Sequence, residues 1–343
     1  MIYYYVYPSA FQNPGGGEVL LLKSKEYVEQ AGTRVTLFNM WQDRLSSSDI
    51  LHVFGSVKEA LGLMEVAKSV GTKIVHSPII WYDWSSSFGI DYDPKERMIC
   101  LIRQLAKSFA PFIPSDRRKM MQLADVVLAS SVLEAKQIHR YFLIPQERIR
   151  VVTYGTDDYF ERATPDLFVK KYGLKDFVLC VGRIEPRKNQ LNLIRAMNQI
   201  SKPLVLIGDP VSHHQNYYDR CVKEAKSNVR FLGGLKRDSE ELKSAFAACD
   251  VFALPSWFET PGLSALEAGL AGAKLVITQG GPTREYFQDL AEYADPKSIA
   301  DIKVKIEKAL SSKKTDRLKQ HIRAKYLWQN MAKQTIQIYQ SLT

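Results

Sequence analysis

The sequence predicts an α/β protein built from two doubly wound domains, each a parallel sheet flanked by helices. Short apolar runs alternate with segments of helical periodicity along the whole chain, a pattern typical of parallel strands joined by helices. The alternation occurs in two series, separated by a polar, turn-rich segment at 154–172 that we interpret as a linker. A length of 343 residues is sufficient for two domains, each with its own core.

The strands of each series can be placed by their apolar runs. They are predicted at 2–7, 34–38, 50–54, 73–76, 126–129 and 149–152 in the first series, and at 177–181, 203–208, 229–232, 251–254 and 274–278 in the second. We therefore expect domains at 1–155 and 156–325, with a terminal helix at 326–343 that packs back onto the first domain. Ligands of such sheets bind outside the carboxyl ends of the strands, so we expect the chemistry in a cleft between the domains.

Charge and cysteine content restrict the class of protein. The net charge of +10 indicates an anionic partner, but the basic residues are spread along the chain and no nucleic-acid-binding motif is present. We therefore predict no nucleic acid partner. Four cysteines lie far apart without metal-ligand spacing, and no apolar run approaches the roughly 20 residues of a membrane span. These features predict a cytoplasmic protein without a metal site.

Two carboxylates lie around the start of one predicted helix. The strand at 251–254 leads into a loop, and the helix is predicted to begin near Pro261, because proline suits a first helical position. Glu259 then lies in the loop and Glu267 on the helix. Since the unpaired N–H groups of a helix N-terminus attract anions, this segment predicts a phosphate site with a carboxylate on each side.

A basic loop follows the predicted strand at 177–181. It contains three cations within residues 182–190, of which Arg183 and Lys188 are placed to meet a ligand at the carboxyl end of the strand. An arginine offers two parallel hydrogen bonds to phosphate and a lysine a compact charge, so the pair could hold a diphosphate and stabilise it as a leaving group. The alternative is a solvated basic start of a helix.

Together these segments resemble those of the retaining GT-B glycosyltransferases of family 4, also called glycosyl transferases group 1. The resemblance rests on Gly182-Arg183 with Lys188-Asn189, on Glu259 and Glu267 with Thr-Pro-Gly-Leu-Ser after the first glutamate, and on Gly280-Gly-Pro-Thr-Arg-Glu-Tyr286. It implies two facing Rossmann-like domains and a hexosyltransferase that needs no metal or other cofactor. The implied donor is a UDP- or GDP-sugar, and the implied acceptor is a glycan or a polyprenyl- or other lipid-linked molecule, in cell-surface polysaccharide biosynthesis.

The resemblance also implies roles for single residues. Arg183 and Lys188 would contact the donor diphosphate, Glu259 the hydroxyls of the donor sugar, and Glu267 the ribose hydroxyls. The backbone of four consecutive residues would line the sugar and phosphate pocket: Thr260, Pro261, Gly262 and Leu263. The competing interpretation makes the two glutamates a helix-dipole partner and a surface acid.

In the predicted acceptor-side domain, two features are candidates for the donor site. The glycine-rich turn at 13–18 offers unshielded N–H groups to phosphate and nominates Gly16 and Gly17. His76 ends a predicted strand, and similar enzymes carry a histidine there that reaches the donor sugar. His52 lies inside an apolar run and is predicted to be a core histidine, although a structural role is the common one for any lone histidine.

Two segments could serve the acceptor. The aromatic residues of 81–84, with Phe88 and Tyr92, suit either sugar stacking or ordinary loop packing. Residues 99–112, followed by three basic residues at 117–119, could rest on an anionic membrane surface at the inner face of the cell membrane, or form a helix with a solvated basic side. Two other functions remain open: a nucleotide-sugar epimerase or hydrolase of the same fold, and a non-catalytic module that binds sugar nucleotides or membranes.

Overall fold

The chain folds into two compact units, each built on a six-stranded parallel sheet. The computed structural model describes residues 1–7, 10–12, 16–83, 86, 89–90, 97–102, 105 and 115–342. The first unit comprises residues 1–82, 102–155 and 326–343, and the second comprises 83–101 and 156–325. The predicted α/β architecture is thus confirmed, and both sheets contain only parallel pairs.

The first sheet has the strand order β2-β1-β3-β4-β5-β6. Its strands are β1 Ile2–Tyr5, β2 Val35–Leu37, β3 Ile50–Phe54, β4 Lys73–Ser77, β5 Val126–Ala129 and β6 Ile149–Val151. All six lie within or overlap the predicted apolar runs. The described helices of this unit are α1 Gly16–Gln30, α2 Leu61–Ser69, α3 Asp116–Leu123, α4 Val132–Phe142 and α13 Trp328–Gln340.

The terminal helix α13 belongs to the first unit, where it packs against α1. Its buried Tyr339 donates a hydrogen bond to the Tyr4 hydroxyl at 2.8 Å. Since that uses the Tyr339 proton, the Nδ1–H group of His52, 2.6 Å away, donates to Tyr339, and His52 Nε2 accepts from Ser77 at 2.8 Å. His52 is therefore a satisfied core histidine, as predicted, and the terminal helix is hydrogen-bonded to strands β1 and β3.

The second sheet has the strand order β12-β11-β10-β7-β8-β9. Its strands are β7 Val178–Val181, β8 Leu204–Ile207, β9 Val229–Phe231, β10 Val251–Leu254, β11 Lys274–Thr278 and β12 Glu292–Ala294. The chain moves outward from β7 to β9 and then returns to β10, so the direction of winding reverses between β7 and β10. Open α/β sheets bind ligands at this reversal, beyond the carboxyl ends of the strands.

Three local expectations for the second unit were wrong. Its described helices are α5 Asp166–Tyr172, α6 Gln190–Met197, α7 Gln215–Glu224, α8 Glu240–Ala248, α9 Leu263–Leu270, α10 Thr283–Phe287, α11 Ile299–Ser311 and α12 Arg317–Lys325. Helix α5 lies in the segment interpreted as a linker, because its Phe168 is buried against Phe177 with ring centroids 5.2 Å apart. Helix α9 begins at Leu263 rather than near Pro261, and strand β12 was not predicted.

Candidate active site

The basic loop begins where β7 ends and is fixed by Asn189. A 3₁₀ turn at Pro186–Lys188 precedes Asn189, whose φ of +60° is a left-handed conformation that asparagine tolerates. The Asn189 amide donates to the carbonyls of Pro255 and Pro296, both at 2.9 Å. The loops that follow β7 and β10 are therefore tied together at the reversal point of the sheet.

Lys188 and Glu259 form the central contact of the site. The Lys188 Nζ lies 2.7 Å from Glu259 Oε1, and both side chains are largely buried. Burial raises the pKa of the Glu259 carboxyl, but the charges of Lys188 and Arg187 outweigh it and lower the pKa below its usual range. Burial, opposed by the Glu259 charge, lowers the pKa of Lys188. The structure thus brings together two residues that were nominated from separate motifs.

Arg187 is a site residue that the sequence did not identify. Its Nη1 lies 3.6 Å from Glu259 Oε1 and donates to the Phe258 carbonyl at 3.3 Å, while its Nη2 lies 2.9 Å from Glu185 Oε1. Arg183, in contrast, has an exposed side chain 3.8 Å from Glu185 and no described contact with Glu259. Loop residues have no periodicity, so the sequence contains no signal for which of the three cations turns inward.

Glu259 is held from the other side by the glycines of the 280–286 motif. Its N–H donates to the Gly280 carbonyl at 3.3 Å. A Cβ atom on Gly281, which has a φ of +91°, would lie 2.1 Å from the Glu259 carbonyl oxygen. Only glycine permits this approach. The conformation of the acidic loop therefore depends on residues more than 20 positions away in sequence.

The start of α9 lies next to the end of β7. Gly262 precedes the helix with a φ of +90°, and Ser264 donates to the Val181 carbonyl at 3.3 Å. Pro261 and Gly262 are buried, whereas Thr260 and Leu263 are partly exposed. The four residues predicted to line the pocket thus form the turn between Glu259 and the helix, where N–H groups of the first helical turn are available to an anion.

Glu267 lies one turn further along α9 and is paired with Arg237. The carboxylate is buried, and its Oε1 lies 2.5 Å from Arg237 Nη2. Arg237 comes from the turn between β9 and α8. The sequence did not nominate it, because a single arginine in a polar loop carries no motif. Its contact shows that Glu267 is a buried, charge-paired acid rather than a surface acid.

In the first unit, His76 and the two glycines were predicted to approach the donor. His76 is fully buried in β4, with Nε2 3.0 Å from the Gly55 carbonyl, and burial lowers its pKa to about 4. Gly16 and Gly17 are the first residues of α1 rather than part of the preceding loop. A Cβ atom on Gly17 would meet Ile79 Cδ1 at 3.7 Å. Contact of these residues with a donor stays a prediction.

Several predicted features fall outside the described residues. These are residues 13–15 of the glycine turn, Trp84, Phe88 and Tyr92 of the aromatic group, and residues 103, 104 and 106–112 of the basic segment. Tyr82 is described and packs on Tyr141 with ring centroids 5.2 Å apart, which favours loop packing over sugar stacking for this ring.

Metal sites and membrane spans were sought among the described residues alone. Within them, no group of three or more histidine, cysteine, aspartate or glutamate side chains could hold a metal ion. None of the helices in this part of the chain has the length and apolar character needed to span a membrane.

Comparison with known proteins gives the family. Residues 168–326 match the family profile of the glycosyl transferases group 1. The O-antigen chain mannosyltransferase B of Escherichia coli is 27% identical over 271 residues, which are 74% of this chain and 67% of that protein. The D-inositol 3-phosphate glycosyltransferase of Corynebacterium urealyticum is 30% identical over 268 residues, or 67% of this chain and 60% of that protein.

Solved structures show the same fold at low sequence identity. Sucrose-phosphate synthase from Thermosynechococcus elongatus has a TM-score of 0.76 at 17% identity and covers 99% of this chain and 98% of its own. Anabaena Alr3699/HepE in complex with UDP and glucose has a TM-score of 0.69 at 18% identity, with 99% of each chain covered. The chain therefore has the GT-B fold and belongs to the glycosyl transferases group 1 family.

Proposed function

We propose that the chain transfers a sugar from a nucleotide-diphosphate donor to a glycan or lipid-linked acceptor, with retention of anomeric configuration and without a metal. The observation that carries this proposal is the Lys188–Glu259 pair at the reversal point of the second sheet, beside the start of α9. A buried lysine, a buried carboxylate and a helix N-terminus at one site suit a ligand that has both phosphate and sugar hydroxyl groups.

Each group has a step in the proposed reaction. The bond between the anomeric carbon and the diphosphate breaks, and Lys188, Arg183 and the N–H groups at the start of α9 stabilise the charge that develops on the leaving group. The acceptor hydroxyl attacks from the same face, and its proton passes to a phosphate oxygen of the leaving diphosphate. Glu259 accepts hydrogen bonds from the sugar hydroxyls and so orients the reacting carbon. Three cations against Glu185 and Glu259 leave the loop positively charged.

The donor can be identified by a binding screen. The names of two relatives and one solved structure, which include GDP-mannose and UDP-glucose, make these two donors the first probes. We expect one of them, or its nucleoside diphosphate, to raise the unfolding temperature of the chain, because a ligand that binds only the folded state stabilises it. If no UDP-, GDP- or ADP-sugar has any effect, the proposal is wrong.

Product analysis then distinguishes transfer from the other functions. Nuclear magnetic resonance should show nucleoside diphosphate release that requires an acceptor, tested with octyl glycosides and lipid-linked saccharides. Release without acceptor would indicate a hydrolase, and donor rearrangement an epimerase. Binding without turnover under any condition would indicate a non-catalytic module. Activity that persists after treatment with EDTA would support transfer without a metal.

A peripheral membrane contact is the second part of the proposal, consistent with a role in cell-surface polysaccharide assembly. Residues 97–102 are helical and expose Met98 and Ile102, each at 59%, next to an exposed Arg97. Exposed apolar side chains beside basic ones suit an anionic membrane surface. We expect salt-sensitive sedimentation with vesicles that contain anionic phospholipid, and its loss in Met98→Asp/Ile102→Asp. Val304→Asp, at an exposed apolar position of α11, is the control. Equal binding by all three proteins would contradict the contact.

A further inference from the structure

The Arg237–Glu267 ion pair has no part in the reaction proposed above. Arg237 precedes α8, in a turn that is itself fixed. The hydroxyl of Ser239 donates to the Lys236 carbonyl at 2.7 Å and accepts from the N–H of Leu242 at 3.2 Å as the cap of α8. The backbone on both sides of Arg237 is therefore held, and the guanidinium reaches α9 from a rigid support.

The pair is buried on the side of the acid. Glu267 is 3% exposed, and the Arg237 side chain is 26% exposed with its Nε and Nη2 atoms out of contact with solvent. A buried carboxylate remains ionised only when an opposite charge or several hydrogen bonds compensate for the lost water. Arg237 supplies that charge at 2.5 Å.

A second acid lies close to this pair. Tyr159 donates to Asp157 at 3.2 Å, and the ammonium group of Lys243 lies 4.1 Å from the centre of the Tyr159 ring. Burial and the charges of Asp157 and Glu267 raise the pKa of Tyr159, while the Arg237 charge lowers it. Two carboxylates thus act on one hydroxyl, with Arg237 as an opposing charge. Removal of Arg237 would favour protonation of one of the two acids.

We propose that Arg237 is a positioning residue that keeps Glu267 ionised and oriented as an acceptor for the ribose hydroxyls of the donor. This inference rests on the proposed function, in which Glu267 holds the ribose. An ionised carboxylate accepts from both hydroxyls of a ribose, whereas a protonated acid must donate one hydrogen itself. Arg237 therefore determines whether the site distinguishes a ribonucleotide from a deoxyribonucleotide.

The test measures that discrimination. Dissociation constants of UDP and GDP are compared with those of their 2′-deoxy and 3′-deoxy analogues by calorimetry. For the nucleotide that binds, we expect the wild-type chain to favour the ribose form by about 10- to 100-fold, the range for a hydrogen bond to a charged group. In Arg237→Met, ribonucleotide binding should weaken about tenfold or more, and the preference should fall close to one. Arg237→Lys, which restores the charge, should recover part of it.

Controls separate the possible outcomes. Lys236→Met removes an exposed charge from the same turn and should keep the wild-type preference. Glu267→Gln should lose the preference as Arg237→Met does, and the double variant should lose no more than either. If Arg237→Met binds both sugar forms equally more weakly but keeps the wild-type ratio, Arg237 has a structural role only and the inference is wrong. If the wild-type chain binds neither nucleotide, the proposed function itself fails.

If Arg237→Met does not fold, Arg237→Lys decides the question. The lysine ammonium is a point charge that cannot reproduce the planar geometry of a guanidinium on a carboxylate. A positioning role therefore requires a reduced ribose preference in this variant. An unchanged preference in Arg237→Lys, combined with full loss in Glu267→Gln, would show that charge alone suffices and would overturn the orienting role.

Discussion

At the scale of single residues, Lys188 and Glu259 each have two roles, one in stability and one in the proposed chemistry. Each compensates the buried charge of the other, and each is expected to contact the donor. Removing one partner of a buried pair leaves the other uncompensated, while removing both can restore stability. The two roles can therefore be separated by a double-mutant cycle.

Lys188→Met should lower the free energy of unfolding by about 2 kcal/mol, less than a fully isolated charge would cost, because Arg187 remains 3.6 Å from Glu259. It should also reduce the transfer rate by about 100-fold or more. Lys188→Met/Glu259→Leu should recover most of the stability and none of the activity. Urea unfolding and donor turnover measure the two effects. A double variant that regained activity together with stability would show that the pair is only structural.

The two buried histidines of the first unit predict a loss of stability in acid. Burial lowers the pKa of His76 to about 4, compared with about 6.5 when unfolded, and lowers that of His52 in the same direction. Between these values the unfolded chain binds more protons, so the free energy of unfolding falls as pH decreases from 6.5 to 4. His76 alone should contribute about 3 kcal/mol of that loss.

Unfolding of the wild-type chain and of His76→Asn across this pH range measures the effect. The difference in stability between the two proteins should change in favour of the variant as the pH falls. A constant difference from pH 7 to pH 4 would contradict the assignment of a neutral, buried His76.

At the scale of elements, the acidic loop depends on its contact with the glycines that follow β11. Gly281→Ala would place a methyl group 2.1 Å from the Glu259 carbonyl and force alanine to a φ of +91°. Gly272→Ala is the matched control, because Gly272 has a φ of +94° but no neighbouring atom within 4 Å. We expect about 1 kcal/mol of destabilisation in the control, and at least twice that, with reduced donor turnover, in Gly281→Ala.

Thermal unfolding and donor turnover of both variants provide the measurement. Equal stability and equal activity of the two would mean that the loop accommodates a side chain at Gly281, and that the contact does not fix Glu259.

The terminal helix α13 offers a second element-level prediction. Tyr339→Phe removes the hydroxyl that accepts from His52 and donates to Tyr4, leaving two buried polar groups without this partner. A loss of about 1–3 kcal/mol is expected. Tyr218→Phe, at a partly buried tyrosine of the second unit, should cost less than half as much. The comparison requires urea unfolding of both variants, and a Tyr339→Phe protein as stable as wild type would remove the proposed attachment of α13.

At the scale of the whole molecule, the sequence predicts the strands better than the site. Eleven of the twelve strands lie in apolar runs that can be recognised without neighbours, because parallel strands are buried on both faces. Strand β12 is three residues long, with Glu292 at its start, and carries no such signal. The approach of Gly281 to Glu259 and the inward turn of Arg187 are consequences of tertiary packing, so no local pattern predicts them.

The residues of the donor half are nominated by motifs, and their partners are not. Glu259, Glu267 and Lys188 occur at recognisable positions, whereas Arg237 and Arg187 are single cations in loops whose contacts arise only when β7, β9 and β10 are assembled. The sequence therefore identifies the groups that would meet the donor, and the structure adds the groups that hold them in place.

The anomeric configuration of the transferred sugar tests the central claim most directly. The chain is incubated with the nucleotide sugar that stabilises it and with an accepted glycoside, and the new linkage is examined by nuclear magnetic resonance. We predict that the product has the same configuration as the donor and that Lys188→Met forms it at least about 100-fold more slowly. An inverted product, or one formed at the same rate by Lys188→Met, would contradict retaining transfer at the Lys188–Glu259 site.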